Sequence, residues 1–283
     1  MIPYRMGTLY SGSTGNSTYI ETPEARILID AGRCTKTLVS SLASIGVDVD
    51  SIDAIFITHE HNDHINSLPV LTKKHPIPIH IVYESALRFA KDPQRELCEC
   101  LCIHKNAEDI KVRIGDITVE AFPTPHDSRA SVGYRITVGE GEDSVVLGVA
   151  TDIGYVTEEI KNGLRGCQSV VIESNHDIEM LRMGPYPYDL KQRILSRRGH
   201  LSNVDCADFC AWLYENGTRD FLLAHLSEQN NYPDFAYDEV NSALAGGCFN
   251  LCVAAPIEVT LLCGKSCEPI PKVTKNPKET VQK

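Results

Sequence analysis

Short apolar runs alternate with polar turns along most of the chain, and their lengths suit strands more often than helices. "TLYSGSTGNSTYIET" reads as two strands around a Gly/Ser turn, and "ARILIDAG" adds a third. Thr35 to Ile45 reads as a helix ending at Gly46, and "IDAIFIT" as a short strand. Helix is expected over Asn66 to Lys74 and again from Glu84 through "ESALRFAKD", with the strand "IPIHIV" between them. "DIKVRIG" with "ITVEAF", and "VGYRITVG" with "SVVLGVATD", predict two strand pairs. "CQSVVIES", "RDFLLAH" and "EVTLLC" read as later strands. Helices are expected over Asn203 to Tyr214, with Ser202 as N-cap, and over Asp234 to Ala245. Antiparallel pairs come first and helices then alternate with strands, which predicts sheets covered by helices in a layered α/β protein.

A length of 283 residues allows one large domain or two small ones. With no repeat or low-complexity linker, a single domain is expected over 1–267. The Lys-, Pro- and Thr-rich stretch 268–283 is expected to be a flexible tail. No apolar run is long enough to cross a bilayer, and "MIPYRMGTLYSGSTGN" lacks the apolar centre of a signal peptide. A cytoplasmic protein without membrane contact is expected. The eleven cysteines are then reduced and read as small buried hydrophobes, including Cys98, Cys100 and Cys102 in "CECLC", whose one-residue spacing is too tight for a zinc knuckle. The formal charge of −11 argues against broad electrostatic capture of nucleic acid and favours short or end-bound substrates. Residues 179–200 collect Arg182, Lys191, Arg193, Arg197 and Arg198, which reads by default as a solvated helix face.

The chemistry concentrates in "FITHEHNDHINS". His59, His61, Asp63 and His64 fall within six residues at a strand end, where α/β folds place their sites. Imidazole nitrogen and carboxylate oxygen suit zinc, manganese or iron. Neighbouring residues on one turn point apart, so two ions sharing the loop is the better geometry. His126 in "TPHDS" and Asp152 in "VATDIG" also close apolar runs, and a carboxylate such as Asp152 can bridge two cations. A late ligand could be His176, His200 or His225. His-Leu-Ser occurs twice, in "GHLSNVD" and "AHLSEQN", and His225 alone of the three ends a strand.

"THEHNDH" resembles the His-x-His-x-Asp-His signature of the metallo-β-lactamase fold superfamily, and His126, Asp152 and a late histidine follow in the family's order. The resemblance runs from "GSTGNS" to about Cys263. It implies a four-layer αβ/βα sandwich with two divalent ions, zinc or manganese, with iron also compatible. His59, His61 and His126 would hold one ion, Asp63, His64 and His225 the other, and Asp152 would bridge. His61 stands where flavodiiron-type members carry glutamate, and Asp152 where class B β-lactamases carry cysteine, which argues against both activities. The 26 positions from His126 to Asp152 leave no room for the protruding arm of the tRNA 3′-processing endonuclease, and the 73 from Asp152 to His225 none for the inserted domain of ribonuclease J. In the tRNA-processing relatives a glutamate and a non-ligand histidine precede the last ligand. Glu173 and His200 look similar here, with His200 as proton donor to a leaving oxygen and Asp63 orienting the attacking water.

"ESNHDIEMLRMGPYPYDLKQRILSRRGHLS", with "SGSTGNS" and "HLSEQNN", is similar to the YycJ/WalJ-type bacterial group, which is associated with exonuclease action on DNA. The resemblance therefore implies a phosphodiesterase acting on DNA ends through a metal-activated hydroxide. Candidate substrate contacts are Ser13 and Asn16 in the Gly/Ser loop, His176, Arg193 and Arg197. Two other readings use the same metal cage. One is a thioester or lactone hydrolase, which leaves His200 and the basic stretch without a purpose. The other is a metal-binding interaction module without turnover. The oligomeric state is left open.

Overall fold

A computed structural model describes residues 2–91 and 93–262. The segment 268–283, expected to be a tail, lies outside the described residues, as do Cys263 and Cys267. The strands are β1 (Arg5–Tyr10), β2 (Ser17–Glu21), β3 (Arg26–Ile29), β4 (Ala54–Phe56), β5 (Ile79–Val82), β6 (Leu101–His104), β7 (Lys111–Ile114), β8 (Ile117–Pro123), β9 (Val132–Val138), β10 (Val145–Ala150), β11 (Ser169–Glu173), β12 (Asp220–Ala224), β13 (Asn250–Val253) and β14 (Thr260–Leu261). They form two seven-stranded sheets, β14-β1-β2-β3-β4-β5-β6 and β13-β12-β11-β10-β9-β8-β7. Each sheet is antiparallel toward one side and parallel toward the other, the parallel runs being β3 to β6 and β10 to β13.

Ten α-helices complete the described residues: α1 (Thr35–Ser44), α2 (Asn62–Ile65), α3 (Leu68–Leu71), α4 (Tyr83–Ala86), α5 (Arg95–Cys100), α6 (Glu158–Leu164), α7 (Ile178–Met183), α8 (Tyr188–Ile194), α9 (Asn203–Glu215) and α10 (Pro233–Ala243). The period-2 alternation of the strands divides their apolar side chains among three interfaces. Ile27, Ile29, Tyr134, Ile136, Val171 and Leu222 meet between the sheets. Leu28 and Ile55 turn outward onto Leu38 and Leu42 of α1 and Leu68 and Leu71 of α3. Val170, Ile172, Phe221 and Leu223 turn outward onto α6, α9 and α10 through Leu164, Phe209, Leu213 and Val240. Helix, sheet, sheet, helix is the αβ/βα sandwich, and strands buried on both faces explain the continuous apolar runs of β10 to β12.

Several sequence expectations need correction. The helix expected over Asn66 to Lys74 is a single turn, α3, with Pro69 in it, and a separate turn, α2, ends before it at Ile65. Proline has no N–H to extend a helix through that point. The helix expected from Glu84 is one turn, α4, followed by a 3₁₀ turn at Phe89–Lys91. Residues 179–200 hold two short helices, α7 and α8, split at Gly184–Pro187. Not all cysteines are buried: Cys34, Cys98 and Cys248 are exposed. Cys98 lies on α5, which buries Leu97 and Cys100 one turn apart and leaves Cys98 outside. Helices of six or seven residues are too short to show the apolar repeat that marks a helix in sequence, so α5 and α6 have no counterpart in the sequence reading, and α7 and α8 read there as one charged helix face.

Candidate metal centre

Strand direction brings the polar residues together. β3, β4, β8, β10, β11 and β12 all end at the same edge of the sandwich. Just past or at those ends stand Asp30, the turn Thr58 to His64, His126, Asp152, Glu173 and His225. Ligand-bearing loops at the carboxyl ends of strands are the usual site location in α/β sheets. Among the described residues three that are not glycine adopt positive φ: Asp30 (65°), Asp152 (57°) and His225 (58°). All three belong to this edge. A left-handed backbone is unfavourable for residues with a Cβ and gathers where geometry is imposed for function.

Two sets of three side chains converge. Ligand atoms of His59, His61 and His126 lie within 4.8 Å of one another, as do those of Asp63, His64 and His225. Asp152 sits between them and forms a further cluster with His59 and His64, one from each set. Its Oδ2 lies 3.3 Å from His64 Nε2, and its Oδ1 lies 3.6 Å from both His126 Nε2 and His225 Nε2. Asp63 Oδ2 is 3.2 Å from His64 Nε2 and 3.6 Å from His225 Nε2. His225 Nε2 and Asp152 Oδ2 are buried with no hydrogen-bond partner among the described residues. Buried polar atoms left unpaired are costly unless something else satisfies them. The nitrogen and oxygen donors fit divalent metal ions.

Three of the rings, His64, His126 and His225, are turned by an outer Nδ1. His64 Nδ1 bonds Asp30 Oδ2 at 2.7 Å, and Asp30 also accepts the Thr58 amide and hydroxyl at 2.8 Å each. His126 Nδ1 donates to the Gly199 carbonyl at 3.1 Å, and His225 Nδ1 to Glu173 Oε1 at 3.0 Å. These partners leave the Nε2 atoms facing inward. The Gly/Ser loop supports the second set from the side: Asn16 Nδ2 reaches Asp63 Oδ2 at 3.4 Å, and Ser11 Oγ accepts the His225 amide at 2.8 Å. Asp30 was missed in the sequence although "RILID" also closes an apolar run with a carboxylate.

The electrostatics are those of crowded opposite charges. Burial pushes the Asp63 and Asp152 carboxyls up, but the surrounding histidines overcome it and hold both below the usual range. Burial pushes His225 down, yet Asp152, Asp63 and Glu173 carry it up to about 10. Burial and the neighbouring His64 keep His59 well below an ordinary imidazole.

The two His-Leu-Ser copies meet at one carboxylate. Glu173 is fully buried, and its Oε1 takes His200 Nδ1 at 2.7 Å as well as His225 Nδ1. Its Oε2 accepts the Ile153 and Leu201 amides at 2.7 and 3.1 Å. Burial raises the Glu173 carboxyl, but His200 and His225 bring it down to about 2, so it stays ionised. The His200 ring stands 5.2 Å from that of His225 and 5.1 Å from that of His126. It lines a cleft of about 270 Å³ with His61, Asp63, Asp152 and His225.

The candidate substrate residues scatter. Ser13 and Arg193 line the cleft, with Arg193 ion-paired to Asp127. Asn16 is buried behind Asp63. His176 is 1% exposed, lines no part of the cleft, and is kept neutral by burial, which lowers it to about 4. Arg197 faces a neighbouring groove.

Residues 25–226 match the family model of the beta-lactamase superfamily domain. The chain is 36% identical over 244 residues to exodeoxyribonuclease WalJ of Streptococcus pneumoniae serotype 2, covering 86% of this chain and 89% of that one. It is 35% identical over 242 residues to exodeoxyribonuclease YycJ of Bacillus anthracis, covering 83% and 87%. The metallo-β-lactamase fold protein YhfI of Bacillus subtilis superposes with a TM-score of 0.66 at 16% identity, over 92% of this chain and all of that one, and shares the fold. With more than two thirds of its length matched, the chain belongs to the β-lactamase superfamily as a metal-dependent hydrolase of the metallo-β-lactamase fold.

Proposed function

We propose that this protein is a two-metal exonuclease that hydrolyses phosphodiester bonds at DNA ends. The observation that carries this reading is the 36% identity over 86% of the chain to an exodeoxyribonuclease. His59, His61 and His126 would hold one ion, Asp63, His64 and His225 the other, with Asp152 shared. Two divalent ions, zinc or manganese, would supply Lewis acidity to the phosphoryl oxygens and make water acidic enough to act near neutral pH. Asp63, partly open to the cleft, orients the attacking water. Glu173 accepts the Nδ1 proton of His200, which leaves Nε2 to carry the proton that a departing sugar oxygen needs. A cytoplasmic location, with the cysteines reduced, is part of this reading. No described helix is long and apolar enough to cross a membrane.

The test pairs metal content with substrate choice. Protein loaded with Zn²⁺ or Mn²⁺ should hold two ions per chain by elemental analysis and shorten end-labelled DNA. Turnover of thioesters or lactones alone would overturn the nuclease reading. Ligation needs a neutral ring, so metal uptake should release the protons that the carboxylates hold on His225 and His64. Apparent metal affinity should therefore fall as pH falls.

Asp30→Asn tests how the second set is aimed. Asparagine cannot accept the His64 Nδ1 proton as a carboxylate does, so ring orientation and basicity both suffer. Metal affinity should drop about 10- to 100-fold, measured by chelator competition. Unchanged affinity would remove Asp30 from this role.

A further inference from the structure

A second groove of about 630 Å³ opens beside the cleft, and His126 lines both. Its walls carry four cations, Lys105, Arg129, Arg197 and Arg198, against two carboxylates, Glu84 and Glu108. That balance is opposite to the chain's net charge of −11. Arg193, in the cleft itself, is already neutralised by Asp127. By contrast, no ion pair involves any of the four groove cations among the described residues. Tyr155 stands in the groove wall, 37% exposed, with the Arg197 guanidinium carbon 4.1 Å from its ring centroid. A planar guanidinium over an aromatic ring makes a flat, cationic platform.

The platform is tied to the metal-centre residues. Tyr155 follows Asp152 by three positions. A Cβ on Gly154 would fall 2.2 Å from the Arg197 carbonyl oxygen, so the two segments touch through backbone. Arg198 Nε donates to the His126 carbonyl at 3.1 Å, and the same 193–200 turn supplies the Gly199 carbonyl that orients the His126 ring. The groove is thus held in fixed register with the site, and it is larger than the cleft that would take the scissile phosphate.

We infer that this groove is the track for a single DNA strand next to the scissile phosphodiester, with a base stacked on the Tyr155–Arg197 platform and phosphates met by Lys105 and Arg129. The inference rests on the nuclease reading and adds a binding subsite to it. Backbone charge neutralisation and base stacking on aromatic and guanidinium planes are how single strands are held without sequence preference.

The experiment measures binding of a fluorescein-labelled, phosphorothioate-linked single strand to metal-loaded protein by fluorescence anisotropy, across salt concentration. Tyr155→Ala should weaken binding about tenfold, within the range for loss of one stacked base, and Tyr155→Phe should restore it. Lys105→Ala with Arg129→Ala should lower the slope of log K against log salt by about 1.4, at roughly 0.7 per phosphate contact. Turnover of bis(p-nitrophenyl) phosphate, which carries a single phosphodiester and no neighbouring nucleotide or phosphate to lie along the groove, gives the reference for folding and metal loading. The ratio of kcat/KM for DNA to kcat/KM for that ester should fall about tenfold or more in the variants. If wild type digests DNA but binding, salt slope and that ratio stay fixed in the variants, the groove inference is wrong and the nuclease reading stands. If wild type neither binds nor digests DNA, the nuclease reading fails and the groove inference falls with it.

Discussion

Asp152→Asn is expected to reduce DNA hydrolysis on the order of 10³-fold or more while the protein stays folded. Asparagine is the informative replacement, because it keeps the side-chain shape and tolerates the left-handed backbone at φ 57°, which alanine would not do without strain. What it removes is the negative charge and one of two equivalent oxygens. Those oxygens face different partners: Oδ2 faces His64, whereas Oδ1 faces His126 and His225. If Asp152 is shared by two ions as proposed, a neutral amide in its place would not offset their charge. The variant should hold fewer than two ions per chain by elemental analysis. Its melting temperature should rise less on metal addition than that of the wild type, since ligand binding stabilises in proportion to RT ln(1 + [L]/Kd). A variant that retained two ions and a tenth or more of the activity would show that Asp152 does not bridge.

The features readable from sequence are those encoded within a few residues. A polar residue closing an apolar run marks a strand end, and the topology places six such ends at one edge. Applied to "ITVEAFPTPH", "VATD" and "LLAH", that rule selects His126, Asp152 and His225. Applied evenly it would also have selected Asp30 in "RILID". The layers follow for the same reason, because Leu28 between Ile27 and Ile29, or Leu222 between Phe221 and Leu223, must face opposite ways. What was not legible depends on contacts between distant segments. The pairing of Arg193 with Asp127 spans 66 positions. Burial of His176, whose backbone bridges to Ser202, depends on how the turn after β11 packs against the entry to α9. Arg193 and Arg197 are one helical turn apart in sequence spacing. Yet α8 ends at Ile194, and the turn beyond it carries Arg197 to a different groove.

His200→Ala is expected to lower kcat on DNA about 10²- to 10⁴-fold, the range for loss of a general acid, with metal content unchanged. The geometry separates this histidine from its twin. Both His-Leu-Ser copies bond the same Glu173 oxygen through Nδ1, but His225 Nε2 is buried against Asp63 and Asp152. The His200 side chain keeps 20% exposure at the cleft. On the proposed reading, His225 would bind a cation and His200 would exchange protons with something that enters from solvent. The consequence is a dependence on the leaving group. A sugar alkoxide is a poor leaving group and needs a proton as the bond breaks, whereas p-nitrophenolate departs largely without one. His200→Ala should therefore cost less than about tenfold on bis(p-nitrophenyl) phosphate while DNA hydrolysis collapses. Glu173→Gln should show the same selectivity in weaker form, because it disturbs the orientation of the imidazole without removing it. Equal losses on both substrates, together with lost metal, would mean that His200 supports the centre structurally. No loss on either would leave the first His-Leu-Ser copy without a part in the chemistry.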